Sequence, residues 1–359
     1  MLDTPLTRLL DIDLPICQAG MGTIAYHELA AAVSAAGGLG AFGGIDMTAQ
    51  ELDDGIRAAR ALTDRPLCVD LGFPQRAPAQ VSEVGLTALP GPIRQLEQEL
   101  TDLGTAIEPV GEQAISKEDS EAKLEVLLDH RVEVLACALG TPEWVVARCH
   151  EAGTKVMSIV GRSRQARRAL ANGADAIIVQ GYEGGGHTGD VGLMTLLAEV
   201  IEFADVPVVA AGGISKGSQI AGLLVAGASG VWVGTRFVAT KESRAEEEFK
   251  QKIVDAEPDG TIRSLLCDGL WHRQLRNRAT EVWDGREDEI LPYPQQRVAN
   301  APVRRAAHRN HLGEYMTLGA GQGSSMVRDI PSAAEVLERL AQETLETLRS
   351  AASALLAPA

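Results

Sequence analysis

The amino-acid sequence predicts an α/β fold in which eight parallel strands close into a (β/α)8 TIM barrel. Short apolar runs alternate with Ala-rich amphipathic stretches, which is the pattern of a parallel sheet covered by helices. Glycine-rich segments follow several of the apolar runs, at the strand ends where a barrel of this class carries its active site. Aromatic residues make up only 4% of the chain, and the abundant small side chains favour close packing of helices on such a sheet.

Eight apolar runs are the predicted strands, and they are Pro15–Gln18, Gly40–Phe42, Leu67–Leu71, Val132–Ala136, Lys155–Ile159, Ala176–Val179, Val208–Ala210 and Gly230–Val233. Amphipathic stretches between them predict helices, which include Tyr26–Ala36, Ala49–Leu62, Pro142–Ala152, Arg162–Asn172 and Lys216–Ala226. Residues 75–130 are too long for one crossover and predict an inserted helical segment. Residues 1–255 are therefore expected to form the barrel, and residues 256–359 a cap segment with a C-terminal helix that packs on it.

Composition and charge narrow the class of function. The formal net charge is −16, which argues against a nucleic-acid partner because binding a polyanion needs Lys and Arg on its phosphates. The basic cluster from Arg297 to Arg309 is interpreted as a solvated or subunit-facing stretch. The amino terminus lacks a signal-peptide pattern and no apolar run reaches membrane-spanning length, so no membrane contact and a cytoplasmic location are expected. Five widely separated cysteines predict neither a disulfide framework nor a metal site.

Two glycine motifs near residues 207–235 predict a phosphate site. Ala211, Gly212 and Gly213 end the seventh predicted strand, and Gly234 with Thr235 ends the eighth. A phosphate needs several backbone N–H groups close together, and a Cβ would hold the backbone away. One such motif could simply make a tight turn, but two in successive loops favour binding. A binding site for one phosphate suits FMN better than a dinucleotide.

A histidine follows the sixth predicted strand on a glycine-rich loop. Gln180 begins this loop, and three consecutive glycines at 184–186 precede His187. The glycines would let the backbone pass close to a flat ligand, with His187 held above it. Histidine titrates near neutral pH, so His187 is the predicted catalytic acid or base. The alternative is a surface or capping histidine, which is the interpretation for His27, His130 and His150 on predicted helices.

The ends of two further strands point to the same rim. Ala19, Gly20 and Met21 follow the first strand, and the Met21 amide could meet the edge of a flavin ring. Asp70 ends the third predicted strand. Its carboxylate either hydrogen-bonds a ring N–H or caps the following turn, and the sequence leaves both open.

Together these segments resemble the nitronate monooxygenase family. The matching stretches are QAGMG at 18–22, VQGYEGGGHTGD at 179–190, PVVAAGGIS at 207–215, GVWVGTRFVATKES at 230–243 and AGQG at 320–323. The likeness extends to flavin-dependent enoyl-thioester reductases that share the fold. It implies an FMN-binding barrel, and the residues expected to hold the cofactor are Ala19, Gly20, Met21, Asp70, Gln180, Gly185, Gly186, Ala211, Gly212, Gly213, Gly234, Thr235 and Gln322. The family commonly has Ala-Pro-Met at 19–21 and asparagine at 70, so the chain departs from it at two places on the rim.

Three functions are compatible with these motifs. The first is nitronate oxidation by dioxygen, in which His187 deprotonates a neutral nitroalkane or positions the anion. The second is an NAD(P)H-dependent reductase of enoyl-CoA or related thioesters, whose anionic carrier a −16 surface would repel unless a basic patch overrides it. The third is a non-catalytic flavin-binding protein, against which a titrating histidine argues. The expected partners are a small-molecule substrate and dioxygen, with NAD(P)H as a candidate donor and a homodimer as the candidate assembly.

Overall fold

Eight parallel strands form a single sheet in the computed structural model, which describes residues 2–73, 88–108 and 116–355. Their order is β1, β9, β8, β6, β5, β4, β3, β2, and a parallel bridge between Cys17 and Leu39 joins the two outer strands. The predicted barrel is thereby confirmed. The strand bounds are β1 Ile16–Gln18, β2 Gly40–Phe42, β3 Leu67–Gly72, β4 Val134–Ala138, β5 Lys155–Val160, β6 Ala176–Gln180, β8 Val208–Ala211 and β9 Gly230–Val233. Strand β7 (Gly186–His187) belongs to a second, smaller sheet.

The predicted strands agree with these bounds except at β4, which lies two residues later than expected. Val132 is apolar and buried, but its N–H donates to Leu127 O, so it completes the turn that ends the preceding helix. An apolar run alone does not separate a buried helix end from the start of a strand.

The helices of the described residues include all five predicted stretches. In chain order they are α1 Pro5–Leu10, α2 His27–Ala35, α3 Ala49–Arg60, α4 Gly91–Asp102, α5 Lys117–Asp129, α6 Glu143–Ala152, α7 Ser163–Ala171, α8 Leu193–Ile201, α9 Gly217–Val225, α10 Thr235–Val238, α11 Glu247–Val254, α12 Arg278–Glu281, α13 Gln295–Arg309 and α14 Ala333–Leu355. Among the residues that the structure describes, no helix is long and apolar enough to cross a membrane.

The predicted insertion at 75–130 divides into two parts with different neighbours. Helix α5 packs on α3 and β3 and so belongs to the barrel, whereas α4 packs on α13. Residues 74–87 and 109–115 of this segment lie outside the described residues.

Side chains from all eight strands, most of them small or medium in size, fill the barrel interior. Its buried members include Cys17, Ala19, Ala41, Cys68, Val134, Ala136, Met157, Ile178, Val209, Ala211 and Trp232. Leu6 and Leu10 of α1 join the same cluster, and Thr4 donates its hydroxyl to Ser229 O just before β9. Helix α1 therefore closes the amino-terminal end of the barrel, which leaves the opposite end for the site.

A cap covers the carboxyl end of the strands. Strands β10 (Thr261–Ser264) and β11 (His272–Leu275) are antiparallel, and β11 pairs in turn with β7. Helices α4 and α13 share an apolar cluster with Leu266 and Trp283. Helix α14 packs instead on α9 and α2 of the barrel. The predicted division at residue 255 remains a prediction.

The packing of α14 on the barrel gives a stability prediction. Leu337 is fully buried against the outer barrel core, whereas Leu355 on the same helix is 81% exposed. Leu337→Ala should lower the free energy of unfolding by about 2–5 kcal/mol because it removes buried methyl groups and leaves a cavity. Leu355→Ala should change it by less than about 0.5 kcal/mol. Denaturant titration of the native protein and the two variants measures both effects, and equal effects would contradict the packing of α14.

Candidate active site

The loops after β6 and β8 meet at the carboxyl end of the barrel. Gly181 donates its N–H to Ala211 O at 2.9 Å, which ties the start of one loop to the end of β8. Gly212 and Gly213 then turn with φ values of +111° and +70°, in the left-handed region that other residues rarely adopt. A Cβ on Gly212 would lie 3.0 Å from Gly181 O, and one on Gly213 would lie 3.0 Å from Glu183 Cβ, so the two glycines let the loops after β6 and β8 pack closely.

A third segment, residues 319–322, packs against the loop after β6 that carries His187, here called the histidine loop. A Cβ on Gly185 would lie 2.7 Å from the carbonyl carbon of Ala320, so only glycine permits this approach. Gln322 donates its N–H to Glu183 O at 2.9 Å. Gly321 donates its N–H to the Thr235 hydroxyl, also at 2.9 Å. The residues predicted at 185, 235 and 322 are thus brought together by contacts between three loops.

The residues predicted after β1 lie on the other side of the same opening. Met21 Sδ is 3.5 Å from the position that a Cβ on Gly234 would occupy. Gly20 packs so closely on Asp70 and Phe42 O that a Cβ would overlap them. Ala19 and Ala211 are small, buried members of the barrel core at the ends of their strands. The rim residues of β1, β3 and β9 therefore form one surface.

Asp70 is a buried carboxyl group without a partner for one oxygen. Its side chain points into the barrel from β3, and Oδ1 has no hydrogen-bond partner among the described residues. Burial raises the pKa of the Asp70 carboxyl well above its usual value, because the charged form loses its hydration. Asp70 is consequently a group that holds its proton in the folded protein.

His187 lies on β7 and faces a carboxylate from the cap. Its Nε2 is 2.6 Å from Asp268 Oδ2, and its side chain is 52% exposed. Gln180, another predicted site residue, donates its side-chain amide to His187 O at 2.9 Å, while Gly186 pairs with Arg273 of β11. His187 is therefore held by both the barrel and the cap while part of its ring stays accessible.

Asp268 is buried and ionised. Burial alone would raise the pKa of the Asp268 carboxyl. The hydrogen bond and charge of His187, together with the N–H of Leu270, have the opposite effect and outweigh burial. The pKa of Asp268 is therefore lower than its ordinary value. Leu270 N is 2.9 Å from Asp268 Oδ1. Each carboxylate oxygen thus has its own donor.

A second histidine lies beside this pair. The ring of His272 meets that of His187 edge to face, with centroids 5.2 Å apart and planes at 86°. Burial, with the nearby charges of His187 and Arg304, lowers the pKa of His272 to about 3, against an opposing effect of Asp268. His272 is therefore neutral near physiological pH.

Several arginines surround this side of the opening. Arg263 donates to the Thr188 hydroxyl at 3.0 Å and to Gly189 O at 2.6 Å, and its guanidinium lies 4.1 Å from the centroid of the Trp271 ring. From α13, Arg304 acts on the pKa of both His272 and Cys267. The basic stretch interpreted as solvated or subunit-facing thus brings positive charge to the site as well.

Asp268 and His272 are the site residues that the sequence interpretation missed. Asp268 lies 81 residues after His187 in the chain, in a region expected to be cap. The only local signal was an Asp and a His within CDGLWH at 267–272. Both residues come close to His187 because β7 pairs with β11. A strand of two residues such as β7 has no recognisable pattern in the sequence.

A closed parallel barrel with glycine-lined loops and an accessible histidine at its mouth is the architecture of a flavin-type oxidoreductase. The chain belongs to the nitronate monooxygenase family, whose sequence profile matches residues 3–343. This family is flavin-dependent.

Three similar proteins differ in the activities that their names state. A (3aS,4S,5R,7aS)-5-hydroxy-7a-methyl-1-oxo-octahydro-1H-indene-4-carboxyl-CoA dehydrogenase of Mycobacterium tuberculosis is 31% identical, over 98% of this chain and 99% of that protein. A probable nitronate monooxygenase of Staphylococcus aureus is 30% identical, over 91% of this chain and 93% of that protein. The crystal structure of nitroalkane oxidase from Streptomyces ansochromogenes superposes with a TM-score of 0.83 at 36% identity, over 97% and 99% of the two chains.

The protonated state of Asp70 gives a pH-dependent prediction. Because the folded protein binds this proton more tightly than the unfolded chain, stability falls as pH rises from about 4 towards the raised pKa of Asp70. Asp70→Asn should therefore stabilise the flavin-free protein by about 1–3 kcal/mol at neutral pH, and the gain should vanish below about pH 4. Denaturant titrations across this range measure the difference. Exposed Asp64→Asn is the control, and an equal pH dependence in both variants would contradict the assignment.

Proposed function

We propose that the protein is an FMN-dependent nitronate monooxygenase that oxidises alkyl nitronates with dioxygen, with His187 as the catalytic acid or base. The observation that carries this proposal is the pair of half-exposed His187 and buried Asp268, 2.6 Å apart at the mouth of a barrel lined by glycine loops. A flavin-binding protein without catalysis has no need of an ionised carboxylate behind an accessible histidine.

The residues at the mouth fit FMN. The left-handed Gly212 and Gly213, with Gly234 and Thr235 in the next loop, suit a single phosphate. Other residues expected to hold the cofactor are Ala19, Gly20, Met21, Gln180, Gly185, Gly186, Ala211 and Gln322, which line the surrounding loops.

Asp70 fits the edge of the flavin ring despite replacing the asparagine common in the family. A protonated carboxyl carries one O–H donor and one carbonyl acceptor, as a side-chain amide carries an N–H donor and a carbonyl acceptor. Burial keeps Asp70 in this neutral form, and its unpartnered oxygen is available to a ring atom. Of the two roles that the sequence leaves open, this supports ring contact over turn capping.

His187 supplies the proton chemistry in this proposal. With a neutral nitroalkane, the imidazole takes the proton from the carbon next to the nitro group, and ionised Asp268 stabilises the imidazolium that forms. With a preformed nitronate, no proton is abstracted, and His187 positions the anion. Bound FMN would supply the redox chemistry between the substrate and dioxygen.

The local charge supports an anionic substrate. The chain carries a formal charge of −16, yet Arg263 and Arg304 lie around His187 and His272. Charges within a few ångströms outweigh distant surface charges, which salt screens beyond about 10 Å. Arg263 and Arg304 would therefore offset part of the negative charge, including that of Asp268, that a small nitronate anion meets at the mouth.

The second candidate is an NAD(P)H-dependent reductase of enoyl-CoA or another enoyl thioester. The relative named as a CoA-ester dehydrogenase, matched over nearly its whole length, favours it. The arginines of α13 weaken the objection that an acidic protein would repel an anionic carrier. Nitronate oxidation remains the first choice because of the likeness to nitroalkane oxidase at 36% identity.

Anaerobic reduction of the bound flavin separates the two candidates. The purified protein is mixed with a nitronate, and separately with NADH or NADPH, while the flavin absorbance is followed. Bleaching by the nitronate is expected. Rapid bleaching by NAD(P)H with no response to a nitronate would overturn the first candidate in favour of the second, and absence of flavin binding would overturn both.

The His187→Ala variant should retain the flavin. Its turnover of a neutral nitroalkane should fall by about 10²-fold or more, because the proton acceptor is removed. His150→Ala is the matched control, since His150 forms a similar pair with Asp175 at 2.9 Å on helix α6, far from the loops of the mouth. Steady-state rates and the flavin spectrum of each variant measure this. Unchanged turnover in His187→Ala would show that His187 takes no part in the mechanism.

Gly185→Ala should reduce flavin retention, because its Cβ would push the histidine loop away from Ala320. Gly222→Ala is the control, since a Cβ at this position in α9 meets nothing within 4 Å. The flavin-to-protein absorbance ratio after gel filtration gives the measurement. Equal ratios in the two variants would show that the close contact is not needed for binding.

A further inference from the structure

The environment of His187 distinguishes its two ring nitrogens. Its backbone is fixed by pairing with His272 across β7 and β11, and the N–H of Thr188 donates to Trp271 O at 2.9 Å. Nε2 faces Asp268 at 2.6 Å, whereas Nδ1 has no hydrogen-bond partner among the described residues. The ring is half exposed, so Nδ1 is the nitrogen open to a small molecule in the mouth.

Asp268 is itself held by the cap before any ligand binds. Its Oδ1 accepts the N–H of Leu270 at 2.9 Å, which leaves Oδ2 for His187. Two side chains of α13 fix the preceding backbone, because Asn300 donates to Cys267 O at 3.1 Å and Gln296 to Leu266 O at 2.7 Å. The two carboxylate oxygens are therefore not interchangeable.

We infer that Asp268 is a positioning residue that keeps the proton of neutral His187 on Nε2 and so makes Nδ1 the atom that takes the substrate proton. This inference rests on the proposed acid or base role of His187. In the step, the substrate C–H bond breaks and its electron pair remains on the substrate as the nitronate, while the proton forms a new N–H bond at Nδ1. The positive charge of the imidazolium is then balanced by the carboxylate of Asp268.

The other groups around His187 leave this pairing undisturbed. His272 lies edge-on at 5.2 Å and stays uncharged, so it neither competes for Asp268 as a cation nor repels the imidazolium. Arg263 is engaged with Thr188 and Gly189 rather than with Asp268. Arg304 acts on the neighbouring His272, whose pKa it lowers.

Replacing Asp268 with asparagine should move the proton of neutral His187 to the other ring nitrogen, rather than only weaken the preference for Nε2. In Asp268→Asn the carbonyl oxygen would accept the Leu270 N–H, as Oδ1 does in the native protein, so the NH2 group would face His187. An NH2 group donates to Nε2 and forces the proton to Nδ1, the tautomer that cannot accept a proton there. Asp268→Ala would leave neither tautomer favoured, and Asp268→Glu should restore part of the native preference.

Nitrogen-15 NMR of histidine-labelled, flavin-bound protein tests this directly. Spectra are taken in alkaline buffer, where imidazole is neutral, and the His187 signals are assigned by their loss in His187→Asn. The Nε2–H tautomer is expected in the native protein and the Nδ1–H tautomer in Asp268→Asn. Asp53→Asn is the matched control, because Asp53 is also 2.6 Å from a histidine, His130, on the outer helices. An Nδ1–H tautomer in the native protein, or no change in Asp268→Asn, would overturn the inference.

Kinetics supply a readout that a purely structural role would not change. Turnover of a neutral nitroalkane should fall about 10²-fold or more in Asp268→Asn, with its pH profile altered, because proton transfer is lost. Turnover of the preformed nitronate, which needs no proton abstraction, should change by only a few fold. Equal losses on both substrates would count against the positioning role.

Failure of the inference and failure of the proposed function give different results. Native protein that oxidises neither nitroalkane nor nitronate contradicts the function, whatever the tautomer. Native protein that oxidises both, with His187 in the same tautomer in all variants, contradicts the inference alone.

Discussion

Contact between backbones at the mouth of the barrel is the constraint on which the rest of the site depends. The histidine loop lies against Ala320 at Gly185, and Gly212 comes so near the same loop that a Cβ would lie 3.0 Å from Gly181 O. Side chains at these points would separate the segments. Because they are glycines, the cap and the barrel share one surface, and β7 reaches far enough to pair with β11.

That pairing divides the chemistry between two parts of the chain. The barrel contributes His187 and the open glycine loops, whereas the cap contributes Asp268 and His272. Neither part alone supplies both members of the His187–Asp268 pair. The cap also carries Arg263 and Arg304 to the mouth of an acidic protein.

The barrel could be predicted from the sequence because its signals are local. Eight apolar runs and the glycines at 212 and 213 each carry their physical reason within a few residues, and the structure places strands and left-handed turns there. Asp268 could not be found in this way, since it lies 81 positions from His187 and comes beside it only through the pairing of a two-residue strand with β11. The charge of Arg304 at the site was missed for a similar reason: a basic helix looks the same in sequence whether it faces solvent or a cavity.

Two buried carboxyl groups near one opening show how environment separates their roles. Both Asp70 and Asp268 are removed from water, which alone would keep both protonated. Asp268 has His187 and a backbone N–H as partners, and it is ionised; Asp70 has an oxygen without a partner, and it holds its proton. An ionised group suits a developing cation, and a protonated one suits a neutral ring that offers both a donor and an acceptor. The unpartnered oxygen of Asp70 lowers the stability of the protein without a ligand, and a bound ring would offset that cost. A site that is less stable when empty is consistent with a resident cofactor rather than with a structural role for the carboxyl.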